Sequence, residues 1–162
     1  MHHQAYHWMR KTIAMLPDRF SVLELGSKDV NGSIRPLFTK ATRYVGVDLS
    51  EGAGVDVVAD AVTFKTDERF DTVVCMEVLE HTDKGREICR NAHHHLQAGG
   101  VFLVTAATGI RVPHSAVDGG ELRDGEYYQN VRHSDLSFWL SDFSKRYIFK
   151  KMWGDIYAIA YK

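Results

Sequence analysis

"VLELGSKDVNGSIRPLF", residues 22–38, decides how this chain folds and what it can hold. The apolar run from Val22 to Leu25 has the length of a buried strand, and Gly26 ends it in a turn. A strand running into a glycine turn opens many nucleotide-binding α/β domains. The loop after Gly26 departs from that pattern, because Ser27, Lys28, Asp29, Val30 and Asn31 precede the second glycine, Gly32. Dinucleotide sites use three glycines so that backbone amides and a helix N-terminus can approach a pyrophosphate. Lys28 and Val30 stand where that approach needs glycine, and Glu24 places a carboxylate where phosphate would be repelled. A ligand with an ammonium group and a ribose, but no phosphate, suits this loop.

The flanking sequence repeats the strand signal. Tyr44–Val47 ends at Asp48, Val55–Ala59 ends at Asp60, Asp71–Met76 ends at Glu77, and Val101–Ala106 makes a fifth run. Short, continuous, β-branched runs predict strands covered on both faces, as in a parallel sheet. Ala5, Trp8, Met9, Thr12, Ile13 and Leu16 share one helical face, closed by Pro17. Gly85, Ile88, Cys89, Ala92 and Leu96 share another, with Thr82 or Asp83 as its cap and Gly99-Gly100 ending the connection. A third helix is predicted around Leu136, Trp139, Leu140 and Phe143, capped by Ser134. "RYIFKKMWGDIYAIAYK", residues 146–162, reads as two antiparallel strands around Gly154. Residues 1–162 thus form one α/β domain, a mostly parallel sheet closed by an antiparallel hairpin.

Composition narrows the function. A length of 162 residues suits one domain with a real core, and 44% hydrophobic with 25% charged residues is ordinary for a soluble protein. A formal charge of -1 lacks the electrostatic footprint of a nucleic-acid binder. No run reaches the ~18 apolar residues of a membrane span, and the opening "MHHQAYHWMR" is not laid out as a signal peptide. Cys75 and Cys89 fall in apolar patterns and read as buried thiols of a reducing compartment. The expectation is a cytoplasmic domain with no membrane partner.

Open α/β sheets bind ligands beyond the carboxyl ends of their strands. Four acids stand at or near those ends: Glu24, Asp48, Asp60 and Glu77. Glu24 can face a cation, Asp48 can accept from both ribose hydroxyls, and Asp60 can accept from an exocyclic amine. S-adenosylmethionine is such a ligand. Residues 22–26, "YVGVDLS" at 44–50, "VVADA" at 57–61, "FDTVVCMEVLEH" at 70–81 and "LQAGGVFLVTA" at 96–106 resemble the successive motifs of class I S-adenosylmethionine-dependent methyltransferases. The resemblance covers about residues 20–107 and implies a Rossmann-like, seven-stranded sheet with helices on both faces and an antiparallel final strand. It implies Glu24 and Gly26 near the methionine part, Asp48 on the ribose, Asp60 with Ala61 at the adenine and Glu77 beside the reaction centre, with Ser27 and Leu49 as further cofactor-binding residues. The first loop departs from the family, which commonly has glycine at the places of Lys28 and Val30. Its "DVNGS" form is similar to a bacterial and phage-like branch.

The methyl acceptor is sought in "TGIRVPHSAVDGGELRDGEYYQNVRHS", residues 108–134, which comes after the fifth strand and shows no regular period. His114, Asp118, Glu121, Tyr127, Tyr128 and Asn130 supply acid–base and hydrogen-bonding groups there. His81, His114 and Tyr127 are the candidate catalytic residues. His81 can equally cap the following helix. No metal site is expected, since consecutive His93, His94 and His95 point in different directions on a helix and read as solvated positions; His2, His3 and His7 are similarly weak. The predicted activity is methyl transfer to a small-molecule or saccharide-like acceptor, yielding S-adenosylhomocysteine. A non-catalytic S-adenosylmethionine-binding or scaffold domain is the alternative, and a dinucleotide-dependent oxidoreductase is disfavoured by the missing glycines.

Overall fold

The structure, a computed structural model, describes residues 3–151 and 154–162. His2 and the two residues at 152–153 of the expected hairpin lie outside the described residues. Helix α1 (His3–Met15) is followed by β1 (Ser21–Leu25), β2 (Arg43–Asp48), a short β3 (Val57–Val58) and β4 (Phe70–Met76). Then come α2 (Gly85–His95), β5 (Leu96–Ala107), α3 (His133–Trp139), β6 (Lys145–Lys151) and β7 (Asp155–Tyr161). The seven strands lie in the order β3-β2-β1-β4-β5-β7-β6. All neighbours from β3 to β5 pair in parallel, and β7 runs antiparallel to both β5 and β6.

Alternation along the strands divides the core into two layers. Leu23, Leu25, Val73, Cys75, Phe102 and Val104 face α2 and α3, meeting Ile88, Cys89, Ala92 and Leu136. Val22, Val74, Met76, Val101 and Leu103 face the other way, onto Ala5 and Met9 of α1 and onto Ile34 and Phe38. Each fully buried large side chain contributes about 1.5–3 kcal/mol by leaving water, and both faces of the central strands gain it. The β1–β4 register is further held by Asp71, whose carboxylate accepts the Phe20 and Ser21 amides at 2.8 and 3.0 Å. Cys75 and Cys89 are buried free thiols.

Several local expectations are corrected. The third strand is two residues long instead of five, and Val57 and Val58 are exposed at the sheet edge, where β3 pairs with β2 alone. Neither Thr82 nor Asp83 caps α2, whose N-cap is Lys84; Thr82 accepts the Lys84 amide from outside the helix. Ser134 lies inside α3, which starts after Arg132 and stops before Leu140 and Phe143, although both stay buried. Leu96, expected on the helical face of α2, is its C-cap and the first residue of β5. His95 is buried, not solvated: its Nδ1 meets the Asn91 carbonyl at 2.9 Å and its ring packs on Phe64.

Candidate active site

One cleft of about 950 Å³ opens beyond the carboxyl ends of β1, β2 and β4. The loop after β1 forms its floor. The Gly26 and Ser27 amides donate to the Val47 carbonyl at 2.8 and 3.1 Å, so the chain turns sharply across the end of β2. Gly26 has φ +81°, and a Cβ there would lie 2.1 Å from Val78 Cγ2, so only glycine fits. Asp29 accepts the Gly32 amide at 2.6 Å, closing a local turn around Asn31. Lys28 Nζ donates to Ser50 Oγ at 2.9 Å, and both residues line the cleft.

The rim acids differ in environment. Glu24 is buried within β1 and accepts the Tyr44 hydroxyl at 2.6 Å. Burial pushes its carboxyl up to about 7, although the Tyr44 hydrogen bond pulls the other way. Asp48 accepts the Lys28 amide at 3.0 Å, and its second oxygen lies 3.4 Å from the Ser50 amide. Asp60 accepts the Val62 amide at 2.8 Å, while Asn91 of α2 donates to the Ala61 carbonyl at 2.8 Å. A carboxylate offers about four lone-pair sites, so Asp48 and Asp60 keep capacity for a ligand. Leu49, 73% exposed, lines the cleft between them.

Glu77 stands at the end of β4 with φ +54°, a left-handed conformation uncommon outside glycine. Three contacts hold it there: Thr105 Oγ1 at 3.0 Å, its own amide to the Thr105 carbonyl at 2.9 Å, and Arg111 at 3.3 Å. Arg111 also pairs with buried Asp155 at 2.5 Å, so the loop after β5 is tied to the first residue of β7. Behind Glu77 sits Glu80, fully buried, with one oxygen on the Ala107 amide at 3.1 Å and the other without a hydrogen bond. Burial, then the Glu77 charge, pushes the Glu80 carboxyl up to about 8.

His81, His114 and Tyr128 form a ring cluster beside these acids, with centroid separations of 5.0 to 5.4 Å. Burial and the neighbouring His114 bring His81 down to about 4, so its ring is neutral. Its Nδ1 and the Tyr128 hydroxyl are buried without hydrogen bonds. His81 does not cap α2, which starts at Gly85. Tyr127, expected in the cleft, faces a separate small hollow with Leu79, Thr82 and Val131, and its hydroxyl donates to Gln129. The cleft therefore brings together Glu24, Gly26, Ser27, Asp48, Leu49, Asp60, Ala61, Glu77, His81 and His114, but not Tyr127. Glu80, Arg111 and Asp155 were not singled out by the sequence; a second acid three residues after Glu77 was the available signal.

A family model described as a methyltransferase domain matches residues 1–143. The chain belongs to this methyltransferase family. The solved structures give this methyltransferase domain the class I Rossmann-like fold. Among them, the Burkholderia thailandensis 1,6-didemethyltoxoflavin-N1-methyltransferase, solved with that compound and S-adenosylhomocysteine, is 14% identical with a TM-score of 0.68, covering 99% of this chain and 77% of its own. DhpI in complex with S-adenosylhomocysteine is 20% identical with a TM-score of 0.71, over 97% of this chain and 82% of that one. The N-methyltransferase NodS from Bradyrhizobium japonicum WM9, also with S-adenosylhomocysteine, is 16% identical with a TM-score of 0.67, over 98% and 85%. A search of curated protein sequences gives no significant match.

Proposed function

We propose that this methyltransferase domain binds S-adenosylmethionine along the β1–β3 side of the cleft and transfers its methyl group to a small-molecule or saccharide-like acceptor. The observation that carries the reading is the single cleft holding Glu24, Asp48 and Asp60 on one side and His81 and His114 on the other. Glu24 faces the methionine ammonium, with Gly26 and Ser27 letting the backbone approach; Asp48 and Leu49 take the ribose; Asp60 and Ala61 take the adenine. Glu77 closes the cofactor side at the reaction centre. The likeness to folds solved with S-adenosylhomocysteine supports that cofactor and product.

His81 and His114 face the acceptor and orient its attacking atom. The sulfonium is already an activated donor, so alignment at near-attack distance supplies much of the rate. Orphaned buried polar atoms on this side, at Glu80, His81 and Tyr128, favour acceptor chemistry over a purely scaffolding role. Among the described residues no helix is long and apolar enough to cross a membrane, and two buried free thiols support placement in the cytoplasm.

The test is label transfer from methyl-labelled S-adenosylmethionine to a panel of small phenols, amines and sugars. Transfer to at least one class, lost in His114→Ala, is the expected result. Cofactor binding with no transfer to any member would leave the non-catalytic reading, and binding of NAD instead would remove both.

A further inference from the structure

We propose that Glu80, His81 and His114 form a site for one first-row divalent transition-metal ion, open to the cleft. One ligand atom from each of these three residues lies within 4.8 Å of the others. Two of the donors are identifiable by what they lack. Glu80 Oε2 is buried with no hydrogen bond, although its other oxygen is held by the Ala107 amide. His81 Nδ1 is also buried without a partner. On His114, Nδ1 meets the Val112 carbonyl at 3.1 Å, which leaves Nε2 as the free donor. A backbone carbonyl on one ring nitrogen is how proteins fix the tautomer of a metal-binding histidine.

Charge balance points the same way. Three carboxylates, Glu77, Glu80 and Asp155, gather around one guanidinium, Arg111, which pairs directly with Glu77 and Asp155. Among the described residues no direct ion pair reaches the fully buried Glu80, on which Arg111 acts only from further away. Buried charges are normally paired or bound to a metal. A divalent ion beside Glu80 takes the unbonded Oε2 as a ligand and supplies the positive charge that an ionised carboxylate needs there.

Two imidazoles and one carboxylate suit zinc, iron, manganese or cobalt better than the all-oxygen shells of calcium or magnesium. Donor atoms around such an ion sit about 3–4 Å apart, so His114 has to move inward by on the order of 1 Å. His114 lies on the loop after β5, beside exposed Val112 and Pro113. His81 and His114 both line the cleft, so the remaining coordination positions face the acceptor.

The role of the ion rests on the proposed methyltransferase activity. It holds an acceptor hydroxyl and lowers its pKa, so that the proton is released to water. The acceptor oxygen then forms the new bond to the methyl carbon. The carbon–sulfur electron pair returns to sulfur, and neutral S-adenosylhomocysteine leaves.

The test uses the whole chain after chelator treatment, titrated with Zn2+ by calorimetry and with Co2+ by visible absorption. One ion per chain is expected, with Co2+ bands typical of nitrogen ligation. His114→Ala should weaken Zn2+ binding at least about tenfold, and Glu80→Gln should act in the same direction. A His3→Ala/His7→Ala variant, which removes amino-terminal histidines, should bind as the wild type does. No Zn2+ binding, or binding unchanged in His114→Ala, overturns the site, and so does loss in the His3/His7 variant alone. S-adenosylhomocysteine titrated into the same metal-free protein separates the two readings. Cofactor-product binding without Zn2+ binding overturns only the metal site, whereas Zn2+ binding without it supports the site and overturns the methyltransferase reading.

Discussion

The two sides of the cleft use their polar groups differently. On the β1–β3 side, Asp29 and Asp60 accept the Gly32 and Val62 amides of their own loops at 2.6 and 2.8 Å, and Asp48 accepts the Lys28 amide of the neighbouring loop at 3.0 Å. Those carboxylates shape turns before any ligand arrives. On the β4–β5 side, Glu80 Oε2, His81 Nδ1 and the Tyr128 hydroxyl are buried with no hydrogen bond. Leaving such a group unsatisfied costs about 1–3 kcal/mol, a cost that folding alone does not explain. The first side is largely preformed, although Ser27 Oγ is also buried without a hydrogen bond, whereas the second gathers several such atoms.

The largest expected effect falls on the cradle. Gly26→Val combines a positive φ with a Cβ 2.1 Å from Val78 Cγ2, and backbone strain plus overpacking should cost about 2–5 kcal/mol. Urea unfolding reads that loss, and cofactor binding should disappear with it. A Gly26→Val protein of wild-type stability and affinity would mean that the loop is not preformed.

Next comes the β4–β5 side. His114→Ala should slow turnover by about a hundredfold or more while leaving S-adenosylhomocysteine affinity nearly intact, as expected when a positioning contact is lost. Tyr127→Ala should cost far less, since Tyr127 lies outside the cleft. Single-turnover rates on the first acceptor found would compare the two, and equal losses would erase the distinction between Tyr127 and the cleft residues.

A pH effect separates the sides further. Glu24 has its carboxyl raised to about 7 by burial, so it is largely neutral below that pH and ionised above it. The cofactor ammonium prefers the ionised form, so affinity should rise with pH through this window. Binding should be roughly eightfold weaker at pH 6 than at pH 7.5 if only ionised Glu24 binds. Glu24→Gln should flatten the profile, and a profile unchanged by that substitution would place the titrating group elsewhere.

The smallest effect tests the loop after β1 itself. Gly32 has φ +109° with nothing within 4 Å of a Cβ, so Gly32→Val meets backbone strain alone, about 1–2 kcal/mol. Lys28→Ala removes only an exposed bond to Ser50. Cofactor affinity should fall a few-fold more in Gly32→Val, and the reverse ranking would give Lys28 a direct role.

Much of the cradle was legible in sequence because its acids sit at strand ends, where apolar runs stop. Asp48, Asp60 and Glu77 were placed by that rule, and Gly26 by its turn. The short β3 was not, because an apolar run does not say whether a helix will cover it. Helix caps failed for a related reason: Thr82 and Ser134 are good capping types, but packing set the ends of α2 and α3 elsewhere. The β4–β5 side was the least legible. Glu80, Arg111 and Asp155 come from three separate segments, and their meeting depends on β7 inserting beside β5. Tyr127 and Tyr128 are neighbours in a segment without a period, so nothing local says which one turns inward.

The central claim, a cradle for S-adenosylmethionine at the β1–β3 rim, is tested most directly by calorimetric titration of S-adenosylhomocysteine into the wild type and Asp48→Ala. The wild type should bind one equivalent in the micromolar range. Removing the paired acceptor for the ribose hydroxyls should weaken this by about 1.5–3 kcal/mol, roughly ten- to 150-fold. A folded wild type that binds nothing, or an Asp48→Ala protein that binds equally well, would contradict the account.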